Sequence, residues 1–255
     1  MRYHLLLTLF ITMLAISCGK ESFDNATTTD IKSGSYATML TIGNRLYVVS
    51  KTQLTTYDVN IPASPVQLDR KDVGFDIESL FYHEGLLLIG SANNMYIYRI
   101  DHLGIPVRES ANEYSQLIDP QMCTRDPIVA RGSIAYVTLS TALQECSWNR
   151  FVNELRIYDI SDIQNVKQLN VIGMSNPRGL GLGKNHLFVC DEFDGLVVFN
   201  IDNPLQPRKV KNFTGYKGHD LIVNGNVLVV VSDTALYQYD ITDETNIKPL
   251  SVIYL

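Results

Sequence analysis

A seven-residue pattern returns five times in this chain: LTTYDVN from Leu54, MYIYRID from Met95, LRIYDIS from Leu155, LVVFNID from Leu196 and LYQYDIT from Leu236. Each copy runs apolar, two variable positions, Tyr or Phe, polar, Val or Ile, polar. The aromatics are Tyr57, Tyr98, Tyr158, Phe199 and Tyr239, at intervals of 41, 60, 41 and 40 residues. With 14 Tyr and 9 Phe in 255 residues, an aromatic in all five slots is not chance. A repeat of this kind dictates the architecture, because one unit cannot bury its apolar surface without its neighbours.

From Ser35 onward each unit divides into four strand-like segments. The first is short (YATMLTI, IESLFY, RDPIVA, RGLGLG, HDLIVN), and the second is an apolar run (LYVV, LLLI, AYVT, LFVC, LVVV). The third carries the aromatic, and the fourth is more polar, as in PVQLDRKDV and PRKVKNF. β-Branched and aromatic enrichment between turn residues marks these as strands, and no segment has a helical apolar period. In the third segment Leu196 and Val198 point one way, Val197 and Phe199 the other, so the sheet is buried on both faces. Four strands per ~40 residues, buried on both faces, is the pattern of propeller blades. A solenoid or sandwich also buries two faces, but the short first strands suit convergence on an axis. The expected fold is therefore all-β: a single five-bladed propeller over residues 35–255, with six blades as the alternative. No blade takes strands from both chain ends, so closure rests on packing of the last blade against the first.

The first 17 residues read as an export signal: Arg2, then the apolar stretch Leu5 to Ile16, then Ala15-Ile16-Ser17 before Cys18. This resembles a bacterial lipoprotein signal, which implies cleavage before Cys18 and lipidation of its thiol. Residues 18–34 are polar and read as a tether. Lys20-Glu21 resembles the Lys-acidic signals that send some gram-negative lipoproteins to the cell surface. The expected location is the cell envelope, at the outer membrane and exposed at its surface. In an oxidising compartment, Cys123, Cys146 and Cys190 suggest one bridge and one buried thiol. Cys190 lies in the apolar LFVC run, which leaves Cys123–Cys146 as the expected disulfide. Net charge is −6, and the 21 Lys and Arg form no run, which argues against nucleic acid.

LVVFNIDNPLQP, LRIYDISDIQNV and LTTYDVNIPASP resemble the LVIVD repeat. CTRDPIVARGSIAYVTL, SNPRGLGLGKNHLFVCDEFDGLVVFNI and ALYQYDITD look like uncharacterised bacterial lipoproteins built from it. The resemblance implies a lipid-anchored β-propeller with a Cys on either side of the third unit's second strand, matched by Cys123 and Cys146. It carries no activity. Arg99 departs from the usual Asp of the second unit, and the third unit lacks the closing prolines.

Aligned on Leu46, Leu86, Ile134, Leu187 and Leu228, the units carry Thr38, Glu78, Asp126, Gly179 and Asp220 eight residues earlier. Three carboxylates at one position near the innermost strands could hold Ca²⁺ at a channel mouth. Arg125, Arg178 and His219 immediately precede three of these positions and could pair with the acids or grip an anion. The competing account is that the carboxylates tie blades together through hydrogen bonds. His219 beside Asp220 is the candidate general base; no GxSxG, HExxH or SxxK motif occurs, and catalysis is not the first expectation. DEFDG, Asp191 to Gly195, is explained by an Asp-Gly hairpin turn. The glycines of GLGLG suit close approach of inner strands. The 60-residue interval divides its excess between residues around Glu113 to Arg125 and a widened hairpin between Leu139 and Asn153, whose Trp148, Arg150 and Phe151 make a contact surface for a protein or glycan or a local packing feature. The functional expectations are a monomeric binding scaffold using rim loops or the channel mouth, a metal-dependent lactonase- or lyase-like enzyme, or a purely structural envelope component.

Overall fold

The computed structural model describes residues 37–91, 94–113, 124–125, 127–141 and 152–255. They form five antiparallel sheets, each made of strands consecutive in sequence and paired in sequence order, except for one short extra strand that pairs out of order. Sheet I holds β1 (Met39–Ile42), β2 (Arg45–Val49), β3 (Gln53–Asp58) and β4 (Val66–Asp72). Sheet II holds β5 (Ile77–His83), β6 (Leu86–Ser91), β7 (Asn94–Ile100) and β8 (Pro106–Glu113). Sheet III has a short extra strand, β9 (Thr124–Arg125), beside β10 (Ile128–Arg131), β11 (Ile134–Thr141), β12 (Asn153–Asp159) and β13 (Lys167–Gly173). Sheet IV holds β14 (Pro177–Leu182), β15 (His186–Asp191), β16 (Gly195–Asn200) and β17 (Arg208–Phe213). Sheet V holds β18 (Gly218–Asn224), β19 (Val227–Ser232), β20 (Ala235–Asp240) and β21 (Lys248–Tyr254). There is no helix among the described residues. The all-β expectation and the strand pattern of every unit are met.

The repeated residues have structural duties. In all five sheets the register between third and fourth strands slips at the aromatic, where the outer strand takes one extra residue. Such a bulge bends and twists the outer strand, blunting an exposed edge. The polar residue after the aromatic closes the corner: one carboxylate oxygen of Asp58, Asp159 and Asp240 accepts the N–H two residues on, each at 2.8 Å. Asn200 makes the same turn with its side-chain carbonyl, at 3.1 Å. In the second unit Arg99 pairs with Glu109 instead, and Asp101 accepts from Leu103 and Ile105. The departure of that unit is thus a displaced turn, not a lost one. Hydrogen bonds hold these carboxyls below the ordinary range: at Asp159 and Asp240 first those from the hydroxyls of Ser161 and Thr242 and then those from the same residues' N–H, and at Asp101 those from the N–H of Ile105 and Leu103.

Four hydrophobic cores separate the sheets, and each aromatic packs toward the preceding sheet: Tyr98 between I and II, Tyr158 between II and III, Phe199 between III and IV, Tyr239 between IV and V. First strands of neighbouring sheets contact one another, β1 with β5, β5 with β10, β10 with β14 and β14 with β18, as in the blades of a propeller. Polar contacts cross the same four seams. Tyr47 donates to the Gly104 carbonyl (2.9 Å), Ser110 to Ile163, and Tyr136 to Pro204 (3.2 Å). Glu244 of sheet V accepts from the backbone N–H of Lys184 and Asn185 and pairs with His186 Nδ1 at 2.9 Å, clasping IV to V. Among the described residues no core and no extensive strand contact links V back to I.

Candidate functional site: the inner mouth

Strand register corrects the carboxylate alignment. The aromatics pair with Leu46, Leu87, Ala135, Leu187 and Leu228, so the second and third units were aligned one residue short. Glu78, Arg178 and His219 then share one place, the extra residue of a bulge in the first strand of sheets II, IV and V. Asp220 stands one residue further, level with Ser79 and Gly179. The equivalent place thus holds an acid in sheet II, an arginine in sheet IV and a histidine in sheet V, not three carboxylates. Asp126 lies outside the described residues. Arg125 is in β9, paired with Ser140 along the edge of β11. Among the described residues no three His, Cys, Asp or Glu side chains are grouped to hold a metal ion.

At sheet IV the mouth is built around Glu192. One of its oxygens accepts from Arg178 Nη2 at 2.5 Å and Asn176 Nδ2 at 2.7 Å; the other faces Lys217 Nζ at 3.4 Å. The Arg178 hydrogen bond, outweighing partial burial, holds the Glu192 carboxyl below its ordinary range. Arg178 is itself buried, and its carbonyl accepts from Thr138 Oγ1 of sheet III at 2.6 Å. The arginine therefore fixes the third seam and the Glu192 turn together. Asp191, fully buried, takes four backbone N–H groups, from Phe193, Asp194, Ser175 and Asn176. With Gly195 at φ +75°, that accounts for DEFDG as a turn whose acid is committed to the backbone.

His219 does not pair with Asp220. Its Nε2 meets Asp233 Oδ1 at 2.5 Å, in a half-exposed position, and this hydrogen bond lowers the Asp233 carboxyl. The glycines before it have the expected steric role. A Cβ on Gly179 would sit 2.7 Å from Asp220 Cα, and one on Gly181 would sit 2.5 Å from Leu221 Cδ1. Only glycine lets β14 come this close to β18. Cys190 is the buried free thiol expected of it, and burial pushes its pKa up. Tyr216 is raised by burial and by its 2.8 Å hydrogen bond to Tyr239, and it stacks on Tyr237 at 4.0 Å. Sequence reasoning missed this tyrosine trio, the His219–Asp233 pair and the Glu244 clasp, because each joins residues whose proximity only the fold creates. Cys18, the Cys123–Cys146 bridge, Trp148, Arg150 and Phe151 lie outside the described residues.

No protein-family profile matches the chain, and no curated protein matches it in sequence. Solved structures do match. A protein of Lactobacillus plantarum is 13% identical with a TM-score of 0.64, over 84% of this chain and 69% of its own. The Pseudomonas aeruginosa periplasmic gluconolactonase PpgL is 15% identical with a TM-score of 0.62, over 84% and 68%. BamB of Moraxella catarrhalis is 12% identical with a TM-score of 0.54, over 85% and 63%. At such identities the likeness concerns fold alone, and the fold is that of a β-propeller.

Proposed function

We propose that this chain is an exported, lipid-anchored binding scaffold, held to the outer membrane through Cys18 and acting as a monomer at the cell surface. In this reading the five sheets are the blades of one closed propeller of the LVIVD-repeat lipoprotein type. The partner, an envelope protein or a glycan, is met at the rim that carries the inner mouth. The observation that supports it is where the repeat is broken. Sheets I, II, IV and V keep an interval near 40 residues, whereas sheet III has more residues between β11 and β12 and adds β9. Growth confined to one rim leaves the packed seams untouched and enlarges a surface for contact. The Cys123–Cys146 bridge would pin that stretch, and Trp148, Arg150 and Phe151 would supply its contact chemistry. The test is capture from envelope extracts by the full chain and by a variant with residues 142–151 replaced by a Gly-Ser turn. Loss of a partner only in the variant supports rim binding; identical capture refutes it.

A second reading, a mouth enzyme, is favoured by the His219–Asp233 pair and by the likeness to a gluconolactonase. Here His219 would act as general base, with any Ca²⁺ held at Glu78, Asp126 and Asp220. The described residues Glu78 and Asp220 stand at different levels, which weakens the shared metal. Metal analysis of the purified protein and lactone hydrolysis by wild type and His219→Ala decide it: no bound ion and no hydrolysis end this reading.

A further inference from the structure

The four sealed seams are built from equivalent positions, so the register shows what a fifth seam would contain. In seam I–II, Tyr47 of the second strand and Leu54 of the third face Leu80, Tyr96 and Tyr98 of sheet II. Carried around the repeat, the matching positions on sheet V are Val229 and Leu236, and on sheet I they are Met39, Thr55 and Tyr57. Two of the five positions become smaller, Tyr47 to Val229 and Tyr96 to Thr55, while Leu54, Leu80 and Tyr98 are matched by Leu236, Met39 and Tyr57. The burial follows. Of the five aromatics that head the repeats, Tyr57 alone is not buried, while the other four are at most 5% exposed. On the same faces Leu46, Val48, Val229, Val231 and Leu236 are half-buried, neither sealed like β15 nor bare like β21, while Thr55 is buried and Met39 exposed. Sheets I and V are the two sheets with a face that no described core occupies, and those faces are the ones the repeat would turn toward each other.

We infer that the ring closes on a single loose joint, sheet V against sheet I, and that the propeller opens there. This rests on the closed-ring reading above and deepens it. Opening at this joint needs no sealed core to be broken. It exposes the side of β18 that faces away from β14. Segments held by few buried apolar contacts occupy the low end of a protein's local stability.

The test uses the full chain with cysteine replacements. Val48→Cys with Val229→Cys, and independently Leu46→Cys with Val231→Cys, report whether V and I are neighbours, by yield with a short thiol cross-linker against the parent protein. Val229→Cys alone, compared with Val189→Cys on a sealed face of sheet IV, reports opening, by the rate of labelling with a bulky polymer-linked maleimide. The expected result is cross-linking in at least one pair and labelling of Val229→Cys about 100-fold faster than Val189→Cys, as a low-stability opening requires. Cross-linking with equally slow labelling would overturn the loose joint and leave the closed ring standing. Absence of cross-linking in both pairs would overturn the closed ring and the joint with it.

Discussion

Sheets II, III and IV are made from the same repeat as sheets I and V, yet they are not buried alike. In the middle three, second strands are covered on both faces: β6 and β15 are buried at all six positions, β11 at seven of eight. In the outer two the burial alternates, with three of six positions buried in β19 and two of five in β2. The four-strand meander and the outer-strand bulge at each aromatic are the same throughout. The difference therefore lies in what stands opposite each sheet. A blade is half of two cores, and it owes its burial to both neighbours.

The contrast can be broken most forcefully with matched core truncations. Leu187 and Leu46 occupy the same register position, one in seam III–IV and one on the open face of sheet I. Leu187→Ala is expected to cost about 3–4 kcal/mol in denaturant unfolding, and Leu46→Ala about 1 kcal/mol; equal losses would mean a fifth core exists. Next comes the clasp at seam IV–V. Glu244→Ala removes the acceptor for two backbone N–H groups and for the buried His186. It should cost about 2–3 kcal/mol by the same measurement. A smaller effect separates the tyrosines: Tyr136→Phe loses the bond to Pro204 and about 1 kcal/mol, while Tyr57→Phe, at the open face, should stay within about 0.5 kcal/mol.

The smallest concerns pH. Glu192 has a folded pKa below its ordinary 4.5, chiefly through the Arg178 hydrogen bond. A depressed carboxyl stabilises the fold above the unfolded value, and the gain is lost as pH falls through the folded value. Thermal unfolding followed from pH 5 downward should therefore show a loss of stability below about 4.5, and a shallower one in Arg178→Gln.

Much of the fold was legible because its determinants are local and periodic. Alternation, turn residues and five aromatics mark the strands, and the Asp or Asn after four of the five aromatics marks the corner it closes. The mouth was legible only in part, for a physical reason. Counting residues along the chain anchors the second unit at Leu86 instead of Leu87 and so sets Glu78 level with Asp220, whereas the register puts Glu78 one residue earlier, at a first-strand bulge like those of Arg178 and His219. Bulges depend on what a strand pairs with, which no single segment encodes. The clasp of Glu244 on His186 spans 58 residues and had no sequence signal at all. The corner at Asp101 is the intermediate case: the departure at Arg99 is visible in sequence, and its compensation two residues on becomes visible only with the hydrogen bonds.

Hydrogen exchange of the intact protein, resolved by sheet, examines the unequal seams in one experiment. Amides of β6, β11 and β15 should be the last to exchange, and those of β2, β3, β19 and β20 should exchange earlier, through openings smaller than global unfolding. Equal protection across all five sheets would contradict it, since a ring sealed at every seam has no preferred place to open.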